Sequence, residues 1–414
     1  MDARGPPAIG PTLSEHHETA LRGRKRRAIA LLAVGIVASK SLWFTTAAVL
    51  PSLADSLDTT PGALAGLSTA TQAGFVVGAL FFAITGLPDR IDPRRLFAGS
   101  ALAASVFNLA LLVVPGDGGL AVLSRGLVGA ALAGVYPVGL KIAVGWSVKQ
   151  RGLITSLLIG ALTLGSAAPH LIAWFGGADW RVTLVVTSVL GAVGGSVILG
   201  TQLGPYHARA TRFDPTAIRL AWTRPPIRAA YLGYFGHMWE LYAFWSWIGA
   251  ATLAAAGGRD DPVRFASGVT FVAVAAGGLA CLPAGWWADR FGKANVARAA
   301  MIGSAISGML AALAFGHSLP LFVGAVVLWG ITVIPDSAQF SALVADHAPA
   351  ERTGSLMTLQ TALGFGLTIL TVRGTPLVAD AVGWPLTFLV MVLGPIVGAI
   401  VIGGARVRAE QRTG

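Results

Sequence analysis

Apolar residues in this chain gather into twelve runs, approximately 28–50, 65–87, 96–115, 119–144, 152–175, 181–203, 228–256, 266–288, 296–316, 319–345, 354–373 and 383–405. Short stretches rich in charge and Pro divide them. Most runs hold roughly 18 to 25 residues, enough at about 1.5 Å per residue to cross about 30 Å of hydrocarbon. Polarity does not alternate along them as it does in barrel strands, so they predict transmembrane helices. The pattern predicts an all-α membrane protein of twelve spans. The 53 Gly and 22 Pro suit such a bundle, where small residues let backbones approach and neighbouring helices satisfy broken turns.

The runs fall into two sets of six. Asp89 and Arg90 follow the second run, and Asp289 and Arg290 follow the eighth, 200 residues later in each case. This repetition predicts two pseudosymmetric halves: a flexible tail at 1–27, one six-helix half at 28–203, a linker at 204–227, a second half at 228–405 and a tail at 406–414. The linker carries Pro205, Pro215, Pro225 and Pro226, which suit a connection better than a folded domain.

Composition sharpens the class. Hydrophobic residues make up 54% and charged residues 12%, about half the charge fraction of a soluble domain. If both ends lie on one side, 24 of the 30 Lys and Arg fall in segments on that side. The positive-inside rule then places both termini in the cytoplasm and the chain in the inner membrane as a multi-pass protein. The net charge of +11 is scattered over juxtamembrane loops, which points to anionic headgroups and topology rather than nucleic acid. Arg22 to Arg27 precede a stretch too long for a signal-peptide h-region and lacking a small-residue cleavage site, so it is expected to remain as the first helix. The lone Cys281 excludes a disulfide framework, and no metal or other cofactor is expected.

The local motifs are specific. Gly285, Asp289, Arg290, Gly292 and Lys293 resemble the loop 8–9 copy of motif A of the major facilitator superfamily. Asp89 and Arg90 form a looser first copy, in which Gly86 stands one place late and Asp92 replaces the second glycine. Arg125 and Gly126 resemble motif B; Gly160, Gly165 and Pro169 resemble motif C of antiporters. Stretches around Gly134 to Lys141 and Gly236 to Tyr242 are similar to bacterial members grouped with nitrate/nitrite porters and cyanate permeases. That resemblance implies a carrier working by alternating access, with motif A clasping the inner helix ends as a gate. Where nitrate porters hold their anion by an Arg in helix 2, this chain offers Gln72, so nitrate is not the expected cargo.

Ionisable side chains near the bilayer centre cost roughly 2.5–3.5 kcal/mol on insertion scales and mark functional candidates. Lys40, Arg125, His170, His237, Glu240 and Asp336 qualify. Lys40 and Glu240 again stand 200 residues apart, at matching depths of helices 1 and 7. In the superfamily that the chain resembles, helices 1 and 7 line the central cavity, so the two are expected to face one another across it, Lys40 contacting substrate and Glu240 carrying a proton; a purely structural ion pair is the alternative. His237 shares a face with Glu240 at i,i+3 spacing. Asp336 and Gln339 form a second proton or ligand site, and Tyr136-Pro137 and Pro335-Asp336 predict kinks in helices 4 and 10. Tyr242, Gln72 and Gln360 complete the candidate substrate-binding set, and His170 reads as packing.

No Walker A pattern and no H-E-x-x-H or G-x-S-x-G motif is present, so neither ATP drive nor an enzyme is expected. The expected function is proton-coupled transport of a small organic or inorganic anion by a monomer embedded in the lipid bilayer. The alternative is proton-antiport efflux of amphiphilic drugs or metabolites.

Overall fold

The computed structural model describes residues 13–57, 61–114, 118–146, 151–176, 179–207 and 213–413. Among them the chain is helical throughout, with turns between helices and no strand. In order the helices are α1 (Leu13–Lys40), α2 (Thr45–Ala48), α3 (Leu50–Leu57), α4 (Pro61–Thr85), α5 (Leu87–Arg90), α6 (Pro93–Ala110), α7 (Gly119–Leu132), α8 (Tyr136–Val144), α9 (Arg151–Gly176) and α10 (Trp180–Ile198). A short 3-10 turn at Pro215–Ala217 leads into α11 (Ile218–Thr223). Then come α12 (Pro225–Ala255), α13 (Pro262–Phe291), α14 (Lys293–Ala314), α15 (Leu319–Val333), α16 (Ser337–His347) and α17 (Ala350–Thr413).

Among the described residues twelve spans emerge once the breaks are counted. α7 and α8 are one span kinked ahead of Pro137, and α15 and α16 are one span kinked at Pro335 and Asp336, as the two proline positions predict. Gly383, with φ of 80°, divides α17 into two spans. Large side chains on the outward faces, among them Ile84, Val106, Leu313 and Ile400, are each more than 60% exposed, as expected of surfaces solvated by lipid.

Three predicted boundaries differ. The first span is not one helix over 28–50: α1 ends at Lys40 and the chain turns through residues 41–44 before α2. Residues 13–27, expected as a flexible tail, belong to α1, where Glu15, Glu18 and Ala20 favour helix; residues 1–12 lie outside the described set. Residues 406–413 likewise continue α17. The linker region holds the turn at Pro215–Ala217 and α11, with Asp214 capping the turn by accepting from Thr216 N at 2.9 Å; its residues 208–212 lie outside the described set.

Within the first half α4 packs on α7, α6 on α10 and α1 on α9 and α10; within the second, α12 and α14 pack on α17. The halves meet where α9 crosses α13 and where α4 crosses α17. At the first crossing a Cβ on Gly160 would stand 2.7 Å from the carbonyl oxygen of Gly278. Glycine there lets the two backbones touch.

Candidate functional site

The turn after α1 exposes carbonyls that a continuous helix would satisfy. Arg125 on α7 fills that need: Nη2 donates to Leu42 O at 3.2 Å and Trp43 O at 2.9 Å. Its Nη1 donates to Asn108 Oδ1 on α6 at 2.6 Å. Asn108 Nδ2 in turn donates to Ser188 Oγ on α10 at 2.9 Å. Fully buried and bound to backbone, Arg125 ties the broken span to its neighbours rather than snorkelling or facing a cavity.

Lys40 sits at that break with its ammonium 3.5 Å from the centroid of the Trp43 ring. It is 2% exposed and has no carboxylate partner among the described residues. A desolvated cation over an indole gains about 2 kcal/mol, less than the several kcal/mol that burying an ammonium costs. The charge is therefore under-compensated. Gly165 on α9 makes room for it, since a Cβ there would lie 2.8 Å from Lys40 Cβ.

The expected confrontation of Lys40 and Glu240 does not occur. Glu240 Oε2 accepts from Ser304 Oγ on α14 and Oε1 from Trp329 Nε1 on α15, each at 2.7 Å. Both partners lie in its own half. Matching depth does not fix matching rotation: α12 runs unbroken through Glu240, whereas α1 stops at Lys40. The two halves instead repeat a polar tie between their first, third and fourth spans, made by Asn108 and Arg125 in one and by Ser304 and Trp329 in the other. Asn108, Ser304 and Trp329 were legible only as isolated polar or aromatic positions within apolar runs.

His237 meets Asp336 instead. Nδ1 stands 2.8 Å from Asp336 Oδ1, a close contact too bent for an aligned hydrogen bond, and Nε2 has no hydrogen-bond partner among the described residues. Tyr234 stacks on the imidazole with centroids 6.0 Å apart, and Phe340 covers it at 6.1 Å. Asp336 occupies the kink between α15 and α16, and buried Gln339 follows one turn on, its N–H donating to Asp336 O at 2.9 Å. Tyr136 begins α8, half-buried and within electrostatic reach of Tyr234 and Cys281.

An aromatic seam joins the halves. Trp43 and Phe75 of the first half contact Phe365 of the second, with centroids 5.4 and 4.3 Å apart. Tyr242 contacts Trp43 at 5.6 Å, Phe44 at 5.9 Å and Phe365 at 4.9 Å, and Trp245 meets Phe44 at 5.5 Å. Of these rings the sequence singled out only Tyr242. Beside the seam several buried polar atoms lack hydrogen-bond partners among the described residues: Ser39 Oγ, Trp43 Nε1, Gln72 Oε1, Trp245 Nε1 and Ser246 Oγ. Gln360 Nε2 donates to Ala230 O at 3.3 Å, which places it in helix packing. Lys40, Gln72, Tyr242, His237, Glu240, Asp336, Gln339 and Gln360 are all sealed from solvent in this conformation.

At the ends of the spans that carry the Asp-Arg pairs, Lys141 Nζ donates to Asp89 and, at 2.9 Å, to Pro88 O. Lys293 pairs with Asp346 at 2.5 Å in the other half. Asp289 projects toward the start of α9, where a Cβ on Gly152 would lie 3.5 Å from its Oδ1. Gly285 packs against Ser156 with no room for a side chain, and Gly86 and Gly292 take φ of 63° and 89°, conformations that favour glycine. Asp92, where motif A would have its second glycine, caps α6 by accepting from Arg94 N at 2.9 Å; its hydrogen bonds with Arg94 hold its carboxyl below the usual range. Arg90 and Arg290 are exposed.

Residues 201–207 strap across these ends. Arg94 Nη1 donates to Thr201 O at 3.1 Å, Trp146 Nε1 to Gln202 O at 3.1 Å and Tyr206 N to Gly145 O at 2.9 Å. The strap sets His207 near Lys141, Asp89 and Asp92; burial first, then Lys141, holds its imidazole below the ordinary value, against the two carboxylates.

Known proteins share this sequence pattern and architecture. The sequence profile of the Major Facilitator Superfamily matches residues 32–258 and again 230–413. A probable transporter of Streptomyces coelicolor is 29% identical over 319 residues, 74% of this chain and 72% of its own length. The hexuronate transporter of Escherichia coli K12 is 29% identical over 184 residues, 41% of this chain and 39% of its own. The xylose transporter XylE from E. coli, in a partially occluded inward-open conformation, superposes with a TM-score of 0.72 at 11% identity, covering 91% of this chain and 97% of that one.

Proposed function

This chain belongs to the major facilitator superfamily and is a membrane transporter of a small solute rather than an enzyme; from that premise we propose that its cargo is a small organic anion, carried by proton-coupled alternating access. Lys40 carries this reading. A buried ammonium held, among the described residues, by an indole face alone calls for a carboxylate, and a solute anion supplies one. Trp43 Nε1, Ser39 Oγ and Gln72 Oε1, each without a hydrogen-bond partner among the described residues, are the polar groups that hydroxyls of such a solute would meet. The rings of Trp43, Phe75, Tyr242 and Phe365 offer apolar faces for its carbon skeleton. A sugar acid has this chemistry, and one relative is named as a hexuronate transporter. Drug-cation efflux fits less well, since Lys40 repels a cation.

The coupling proton is assigned to Asp336 and His237, whose facing atoms stand 2.8 Å apart in the buried core. The contacts of Asp89, Asp289 and Lys293 form the inner gate. Both termini face the cytoplasm and the carrier works as a monomer.

The test is uptake by proteoliposomes of a panel of glucuronate, other sugar acids, neutral pentoses and quaternary amines. Wild-type protein takes up the acids, and Lys40→Ala loses them at least tenfold while remaining folded. Equal uptake of acids by Lys40→Ala, or uptake confined to neutral or cationic solutes, refutes the anion reading.

A further inference from the structure

An apolar groove of about 420 Å³ opens where α1, α9 and α13 meet. Ala33, Val34 and Val37 of α1, Leu157 and Ala161 of α9 and Leu282 of α13 form its walls. Val34 is 56% and Leu282 39% exposed, so the groove opens on the lipid-facing surface. Leu190 of α10 also lines it, so three of its helices belong to the first half and one to the second, and its floor includes the Gly160–Gly278 contact.

The stripe of α1 that lines the groove continues toward the N-terminal end of that helix. Arg27, Ala30, Val34 and Val37 follow one another at three- and four-residue steps and share a face, and Arg26 lies two turns before Ala33 on the same side. Arg26, Arg27 and Ala30 are exposed. At about 1.5 Å per residue Val37 stands about 15 Å along the axis from Arg27, most of the length of an acyl chain. Arg22, Arg24 and Lys25 add to the positive charge at the same end, and basic residues at a membrane surface attract anionic lipids.

We propose that this groove is a binding site for an anionic phospholipid, one acyl chain lying along α1 against α9 and α13 and the phosphate headgroup against Arg26 and Arg27. The lipid comes from the leaflet at the N-terminal end of α1, the cytoplasmic one in the orientation proposed above. A zwitterionic lipid fills the apolar groove equally well but brings no net charge to the two guanidinium groups. Because both halves form the walls, the bound chain lies against the crossing of α9 and α13.

Lipid retention tests this without any transport assay, so it stands or falls separately from the solute reading. The full-length protein is purified in detergent, incubated with equal amounts of phosphatidylglycerol and phosphatidylcholine, and examined by native mass spectrometry. Wild-type protein is expected to retain phosphatidylglycerol at least tenfold over phosphatidylcholine. Val34→Trp, which fills the groove from its exposed edge, loses both lipids. The double variant Arg26→Gln, Arg27→Gln brings phosphatidylglycerol down to the phosphatidylcholine level. Val272→Trp, at a position 48% exposed on α13 outside the groove, leaves retention unchanged. Equal retention of the two lipids by wild-type protein, or undiminished phosphatidylglycerol in Val34→Trp, overturns the proposal, and normal gel-filtration profiles certify that each variant is folded.

Discussion

His237 Nδ1 lies 2.8 Å from Asp336 Oδ1, with the two side chains 1% and 3% exposed, and the remaining ring nitrogen of the histidine has no protein partner among the described residues. The aspartate sits in a kink that Pro335 imposes on its span, so the pair joins a straight helix to a broken one. A proton added to or removed from it changes an attraction across that kink.

Asp336→Asn is therefore expected to abolish uptake driven by a pH gradient while leaving solute exchange across the membrane, measured as counterflow, within about twofold of wild type. Gradient-driven uptake that survives in this variant removes Asp336 from the coupling step.

Glu240→Gln is expected to behave differently. The amide oxygen can still accept from Trp329 Nε1, but the amide nitrogen can only donate to Ser304 Oγ, so the serine's own hydroxyl proton loses its acceptor. A buried donor without a partner costs about 1–3 kcal/mol. The melting temperature should fall by several degrees with coupling retained, and a variant as stable as wild type but uncoupled would return Glu240 to the proton path.

The strap at residues 201–207 should respond to pH. Burial and Lys141 hold His207 below its ordinary value of about 6.5 in the docked chain. The released strap then binds a proton more readily than the docked one, so docking is fully favoured above that value and weakens as pH falls below it. Protection factors of residues 201–207, taken against the intrinsic exchange rate at each pH, should be lower at pH 5.5 than at 7.5, and His207→Asn should remove the difference. Identical protection factors at both pH values would contradict it.

Asp289 lies beside the N-terminal end of α9, where a negative charge gains about 0.3–1 kcal/mol from the helix dipole. Asp289→Asn should shift the balance toward the inward-open state by roughly two- to fivefold. Cysteine labelling from the inner side reads this directly, and equal labelling of the variant and the parent excludes a gating role.

Much of the architecture could be read from the chain. The apolar runs located the spans because hydrocarbon thickness dictates their length, and Pro137 and Pro335 located two kinks because a missing N–H must break a turn. The repeat of Asp-Arg pairs gave the two halves. The break after Lys40 carried no such signal: Ser41, Leu42 and Trp43 contain neither Gly nor Pro, and the turn persists because Arg125, distant in sequence, satisfies its carbonyls. For the same reason the partners of Glu240 were not legible. Depth along a helix follows from counting residues, but which neighbour a side chain turns toward depends on contacts between helices that one-dimensional spacing does not record.

Where α9 crosses α13, Gly160 and Gly278 bring bare main chain against bare main chain. Interlocked side chains resist sliding because each must leave its slot before the next position is reached. At this point few slots have to be vacated, so a change of angle between α9 and α13 would need little repacking there. The rings of Trp43, Phe75 and Phe365, which meet tilted and edge-on where the halves join, are where interlocking resists it.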